Sequence, residues 1–268
     1  MNFIREYYFD FGLMADDFSP VLEGFWLTLK LSILSGIFSL LWGLVLAVLR
    51  QLPGRPAAPI RWLTIAYIDA FRGIPLLLVL LLVSGGLSAL SSPIGGDVIP
   101  DFFGKPTWLG ETSPFWYGVI SLTITYGAYM AEVYRAGIEA VPRGQMEAAR
   151  SLGMSHGQAM QKVIVPQAVR KVIPPLLNDF IALMKDTSLV SILGAAEVVY
   201  VGRQIQSETF NGSALVLGAI MFLIVTIPLA RLVDVLIARQ QGRTQRSGSS
   251  NDDTPDMTQF TGGMPPSI

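Results

Sequence analysis

Residues 21–49 read VLEGFWLTLKLSILSGIFSLLWGLVLAVL, an apolar run in which Glu23 and Lys30 are the only charged side chains. A helix needs about 20 mostly apolar residues to cross a hydrocarbon core of about 30 Å, and this run exceeds that length. Glu23 and Lys30 share one helix face and fit an interfacial position. Three further stretches satisfy the same criterion: residues 62–90, 115–138 and 212–238. A fifth, 173–194, carries Asp179, Lys185 and Asp186, which suits a helix enclosed by others rather than one facing lipid. The expected architecture is all-α, a polytopic membrane protein with about five transmembrane helices.

The whole composition agrees. Of 268 residues, 51% are hydrophobic and 15% charged, against roughly a quarter charged in soluble domains, and mean hydropathy is +0.49. Net charge is -1, which supplies no basic footprint for nucleic acid. There is no cysteine and a single histidine, His156, so disulfides, thiolate nucleophiles and histidine metal clusters are ruled out and no metal site is expected. No Gly-x-x-x-x-Gly-Lys-[Ser/Thr], Gly-x-Ser-x-Gly or His-Glu-x-x-His pattern occurs. The chain therefore binds no ATP through a phosphate loop, and no catalytic constellation is predicted.

Lys and Arg in short loops set orientation. Arg50, Arg55 and Arg61 follow the first span, Arg143, Arg150, Lys162, Arg170 and Lys171 follow the third, and Arg239, Arg243 and Arg246 follow the last. Loop 91–114 has only Lys105 against Asp97, Asp101 and Glu111. The pattern predicts an external N-terminal segment (1–20), a transmembrane domain (21–238) and a cytoplasmic tail (239–268) whose Gly, Ser, Pro and Asp content predicts disorder.

Residues 139–171 are too polar to span and too long for a minimal connector. Pro142 ends the third span, Gln145–Leu152 favours a short helix stopped near Gly153, and Ser155 can cap a second one that Pro166 would interrupt. Ala148, Ala149 and Gly153 keep this segment thin enough for a partner's backbone to approach, and Glu147 can meet a basic group.

The spacing Glu147-Ala148-Ala149, three residues, Gly153, nine residues, Val163-Ile164-Val165-Pro166 resembles the EAA loop of ABC importer permeases. Tyr67–Pro75, Ala128–Gly137, Pro166-Gln167-Ala168, Pro174-Pro175 and Lys185–Leu189 resemble signatures of the polar amino acid uptake subfamily. Together they cover about residues 20–240. The resemblance implies the type I importer permease fold in a bacterial inner membrane, with Glu147, Ala148, Ala149, Gly153 and Pro166 in the ATPase-coupling segment. It also implies an ATP-binding subunit dimer that carries ATP and Mg, a second permease chain and an extracytoplasmic amino-acid-binding protein. The chain itself would hold no cofactor.

Charges inside spans need a reason, since each costs about 2.5–3.5 kcal/mol at mid-bilayer on insertion scales. Asp69 and Arg72, and likewise Glu132 and Arg135, are spaced to pair on one helix face as structural or gating ion pairs. Asp179, Lys185, Asp186, Thr187 and Ser188 are candidates for the substrate pathway, with internal salt bridging or helix capping as the alternative. A same-fold permease for another small polar solute, or an ATP-independent channel or membrane enzyme, are the competing functions.

Overall fold

The computed structural model describes residues 2–92 and 98–249. Asp97 and the tail beyond residue 249 lie outside the described residues. The elements are α1 (Asn2–Tyr8), α2 (Phe11–Asp16), α3 (Phe18–Arg50), α4 (Ala58–Gly73), α5 (Leu76–Leu90), α6 (Asp101–Gly104), α7 (Ser113–Glu139), α8 (Arg143–Ser151), α9 (His156–Ala159), α10 (Val165–Asp186), α11 (Val198–Thr209) and α12 (Ser213–Ser249). No strand occurs among the described residues.

α3 and the Ser213–Arg239 part of α12 are each long and apolar enough to cross a membrane alone. α7, expected as a strongly apolar span, does not qualify on composition, and neither does α10. With 27 and 22 residues they still reach about 40 and 33 Å at 1.5 Å per residue. α7 packs against α3, α4, α5 and α10, so its polar side chains face protein rather than hydrocarbon.

The expected straight span at 62–90 is instead two helices, α4 and α5, meeting at 111°. Pro75 supplies no N–H, and the residue before a proline is pushed out of helical geometry; Ile74 sits at φ -84°, ψ 130°. The two helices are apolar and long enough for the membrane only together, as a broken span or a re-entrant pair.

The second correction concerns Pro166, which does not break its helix. Met160–Ile164 forms a π turn that runs directly into α10, and Pro166 falls in α10's first turn, where a missing N–H costs little. α12 likewise continues to Ser249, so residues 239–249 of the expected tail prolong the helix; no proline occurs there before Pro255.

Small residues let α3 approach its neighbours closely. Gly24, Thr28, Ser32, Ser35, Gly36, Ser39 and Gly43 are buried along α3, with Gly24 and Thr28 against α11, Gly36 against Phe180 of α10, and Ser39 and Gly43 against α7. A Cβ on Gly43 would lie 2.9 Å from the Gly127 carbonyl oxygen, a contact only glycine permits. Leu31, Leu80, Phe115, Leu122, Leu183 and Val190 fill the space around this seam.

At one end, α1 and α2 clasp the α11–α12 corner. The Gly212 amide donates to the Tyr7 carbonyl at 2.8 Å, the Asn211 side chain to Glu6 O at 2.8 Å, and the Asp10 amide to Ser213 Oγ at 3.0 Å. The N-terminal segment and the start of α12 therefore share one side, as an odd number of crossings requires.

Candidate functional site: a charged cavity at the broken helix

The break between α4 and α5 opens a cavity of about 370 Å³, walled by Arg72–Leu76, by Thr125, Tyr126 and Tyr129 of α7, and by Asp179, Ala182 and Asp186 of α10. That volume falls in the usual range of small-ligand sites. Hollows of about 550 and 590 Å³ open beside α11; the first gathers Lys30, itself paired with Glu111, with Asp17, Glu23 and Glu208, and the second has Arg203 alone among charged side chains.

Each charge in the cavity has a distinct setting. The Arg72 guanidinium lies over the Tyr129 ring, 5.9 Å from its centroid, and the Tyr129 hydroxyl donates to the Arg72 carbonyl at 3.3 Å. The Tyr126 hydroxyl donates to Asp186 Oδ2 at 2.8 Å, which fixes that carboxylate. Asp179 Oδ2 is inaccessible to solvent and has no hydrogen-bond partner among the described residues, and the same holds for Thr125 Oγ1. An orphaned carboxylate oxygen at a cavity wall is costly unless a ligand supplies its partner. Because the helix breaks here, the carbonyl end of α4, where Arg72 O accepts from Tyr129, and the amide end of α5 meet with opposite partial charge. Broken helices inside membranes use such ends to hold the two poles of a polar solute.

The structure redistributes the residues expected on the pathway. Asp179 and Asp186 line the cavity. Lys185 and Ser188 instead face a hollow of about 270 Å³ against α11 and α12. Thr187 is buried and donates to Met184 O at 2.7 Å, a local helix-end bond. Arg72, expected to pair with Asp69, makes no ion pair with it among the described residues; both are exposed, and Arg72 borders the cavity. Glu132 does pair with Arg135, and also with Arg50 of α3 at 2.7 Å, while Arg135 reaches Glu139 as well. That network ties the ends of α3 and α7 together. Thr125, Tyr126 and Tyr129 were not singled out from the sequence, although polar side chains on a membrane helix are themselves a signal.

At the far end of α7 and α10, the segment 139–171 folds on a core of Val141, Ile164 and Ala168. Ser155 caps α9 through a capping box with Gln158. Ala149 is buried beneath α8 and is not available to a partner, whereas Glu147 and Ala148 are exposed. Gly153 has φ +81°, and the Gly153 and Met154 amides donate to Arg150 O and Ala149 O. This is a Schellman stop: the glycine is required by backbone handedness, not by thinness. Pro166 is exposed on the first turn of α10. Leu152, unremarked in the sequence, is 80% exposed at the tip of α8 and is the largest apolar side chain offered there.

Residues 39–242 match the family described as "Binding-protein-dependent transport system inner membrane component". A probable glutamine ABC transporter permease protein, GlnM of Bacillus subtilis, is 34% identical over 85% of this chain and 96% of its own length. The glutamate/aspartate import permease protein GltK of Escherichia coli O157:H7 is 31% identical over 87% and 99%. The Bacillus subtilis arginine transport system permease protein ArtQ is 32% identical over 81% and 91%. Among solved structures, a chain of an amino acid ABC transporter crystallised with histidines superposes with a TM-score of 0.73 at 35% identity, covering 86% of this chain and 98% of that one. A chain of the inward-facing MetNI methionine transporter shares the fold, with a TM-score of 0.62 at 21% identity. With a broken span, a polar helix at its centre and an exposed helical loop at one end, the chain belongs to the family of inner-membrane components of binding-protein-dependent transport systems.

Proposed function

We propose that the chain is the membrane-spanning permease of an ATP-driven importer of polar amino acids, and that the cavity at the α4–α5 break receives the solute in transit. One observation carries this reading. The cavity sets the Arg72 guanidinium and the amide end of α5 against the carboxylates of Asp179 and Asp186, which is the charge pattern of an amino acid reversed. A zwitterion leaving water loses strong hydration, and these groups replace it. The amino acid cargoes in the names of GlnM, GltK and ArtQ support the same solute class.

Energy enters at the other end. Glu147 and Ala148 on α8 and Leu152 at its C-cap form the surface for an ATP-binding subunit, which carries ATP and Mg. α10 runs from this loop to the cavity: Pro166 and Asp179 are about 20 Å apart along one helix. Displacement of α8 is thereby transmitted to Asp179 and Asp186, and affinity differs between the two access states, as alternating access requires. A second permease chain completes the pathway, an extracytoplasmic binding protein delivers the solute, and the basic loops support an orientation with the N-terminus outside and the C-terminus in the cytoplasm.

The test is reconstitution in proteoliposomes with the ATPase and binding protein. ATP-dependent accumulation of labelled polar amino acids, competed by unlabelled ones, is the expected result. Passive flux without the ATPase would replace this reading with a channel.

A further inference from the structure

Residues 98–112 fold as α6 followed by a 3-10 turn at Trp108–Gly110, and they present an unusual surface. Val98 is 66% exposed, Phe102 62%, Phe103 54% and Leu109 87%. Water gives no reason for four large apolar side chains to stand out together, and contiguous patches of this kind mark an interaction. The segment is also firmly held. The Tyr117 hydroxyl donates to Gly104 O at 2.7 Å, and the Trp116 indole donates to Trp108 O at 2.9 Å. Phe102 and Trp116 lie against Trp108, with ring centroids 5.4 and 5.0 Å away.

Two observations identify what covers it. First, the three charges of the segment are already paired, Asp101 with Lys105 at 3.2 Å and Glu111 with Lys30 of α3. No charge remains to register a folded partner. Second, Trp108 and Trp116 stand at the head of an apolar groove that continues between α3 and α7 past Phe38, Trp42 and Ile120. α3 exposes Ile33, Ile37, Leu41 and Val45 on its outer surface, the surface of a span that meets acyl chains. The patch is therefore continuous with the lipid-facing wall. We propose that residues 98–110 form an interfacial foot, whose aromatic and aliphatic side chains sink into the headgroup–acyl boundary of the leaflet beside the α5–α7 connection. Aromatic rings favour this layer because it accepts both an apolar body and a polar edge.

The chain has no native cysteine, so single labels can be placed directly. Phe103→Cys, Leu109→Cys and, as a water-facing control on α11, Ser207→Cys carry a nitroxide in the assembled transporter in lipid nanodiscs. Leu109 is so exposed that its replacement disturbs no packing, which keeps the test open should Phe103→Cys misfold. The expected result is a collision ratio for oxygen over a water-soluble nickel chelate that is several-fold higher at residues 103 and 109 than at 207. Labels open to the nickel chelate would overturn the proposal. So would labels shielded from both reagents, whether by a second copy of the chain or by the added binding protein, because a protein would then occupy the patch.

Discussion

Asp179→Asn separates a ligand-holding carboxylate from a structural one, because the two roles predict opposite outcomes. The side chain keeps its shape, loses its charge and exchanges one acceptor oxygen for an amide NH2. In the unliganded protein Oδ2 has no partner among the described residues, so no native hydrogen bond of that atom is broken. Thermal stability in detergent is therefore expected to stay level or rise slightly, since an unpaired charge at a low-dielectric wall is unfavourable. Transport should move the other way. A charge-assisted hydrogen bond to the solute's ammonium group contributes about 1.5–3 kcal/mol, and each 1.4 kcal/mol is tenfold in affinity. The half-saturating concentration for uptake should thus rise roughly tenfold to a hundredfold in proteoliposomes at saturating ATP. An unchanged half-saturating concentration, or a fall in stability with unchanged transport, would refute the assignment of Asp179 to the cavity's ligand-holding set.

Other perturbations probe the remaining parts. Tyr126→Phe deletes the hydroxyl that fixes Asp186 and should raise the half-saturating concentration about tenfold without altering assembly, as judged by gel filtration. Leu152→Ser should reduce co-purification of the ATPase while leaving the isolated permease as stable as before, because its side chain touches little of its own chain. Gly153→Ala should cost about 1–2 kcal/mol in thermal unfolding, because φ is +81° there, even though a Cβ would meet no atom within 4 Å. Gly43→Val drives side-chain atoms into the Gly127 backbone and should lower stability by about 1–3 kcal/mol, seen as a reduced yield of monodisperse protein.

Much of this was readable from residue types alone. Apolar run lengths located α3 and α12, and basic loops anticipated the shared side of α1, α2 and the α11–α12 corner. The spacing around Glu147 marked out the exposed helical loop that is proposed to meet the ATPase. The break at Ile74–Pro75 was also written in the sequence, but an apolar run of sufficient length reads as one span whether or not a proline interrupts it. Its consequence, that Arg72 borders the cavity with Asp179 and makes no pair with Asp69, depends on three-dimensional packing that helical spacing does not encode. Lys185 and Asp186 are adjacent in sequence, and neighbouring residues on a helix point about 100° apart; Asp186 lines the cavity while Lys185 faces the hollow against α11 and α12. Ala149 and Gly153 stood out through their resemblance to a family pattern, yet their structural settings, burial and left-handed backbone, became visible only with α8 in place.

The π turn at Met160–Ile164 also sets an angle. Each residue of an α-helix advances the chain by about 100° around its axis and 1.5 Å along it. The widened turn inserts extra arc upstream of α10 without lengthening the rod below it. Its length therefore works as a phase setting between the two ends of the protein. Deleting one residue there would shift α8 and α9 against α10 by about a quarter turn and, on the proposed function, turn Glu147 and Leu152 out of line with the ATPase.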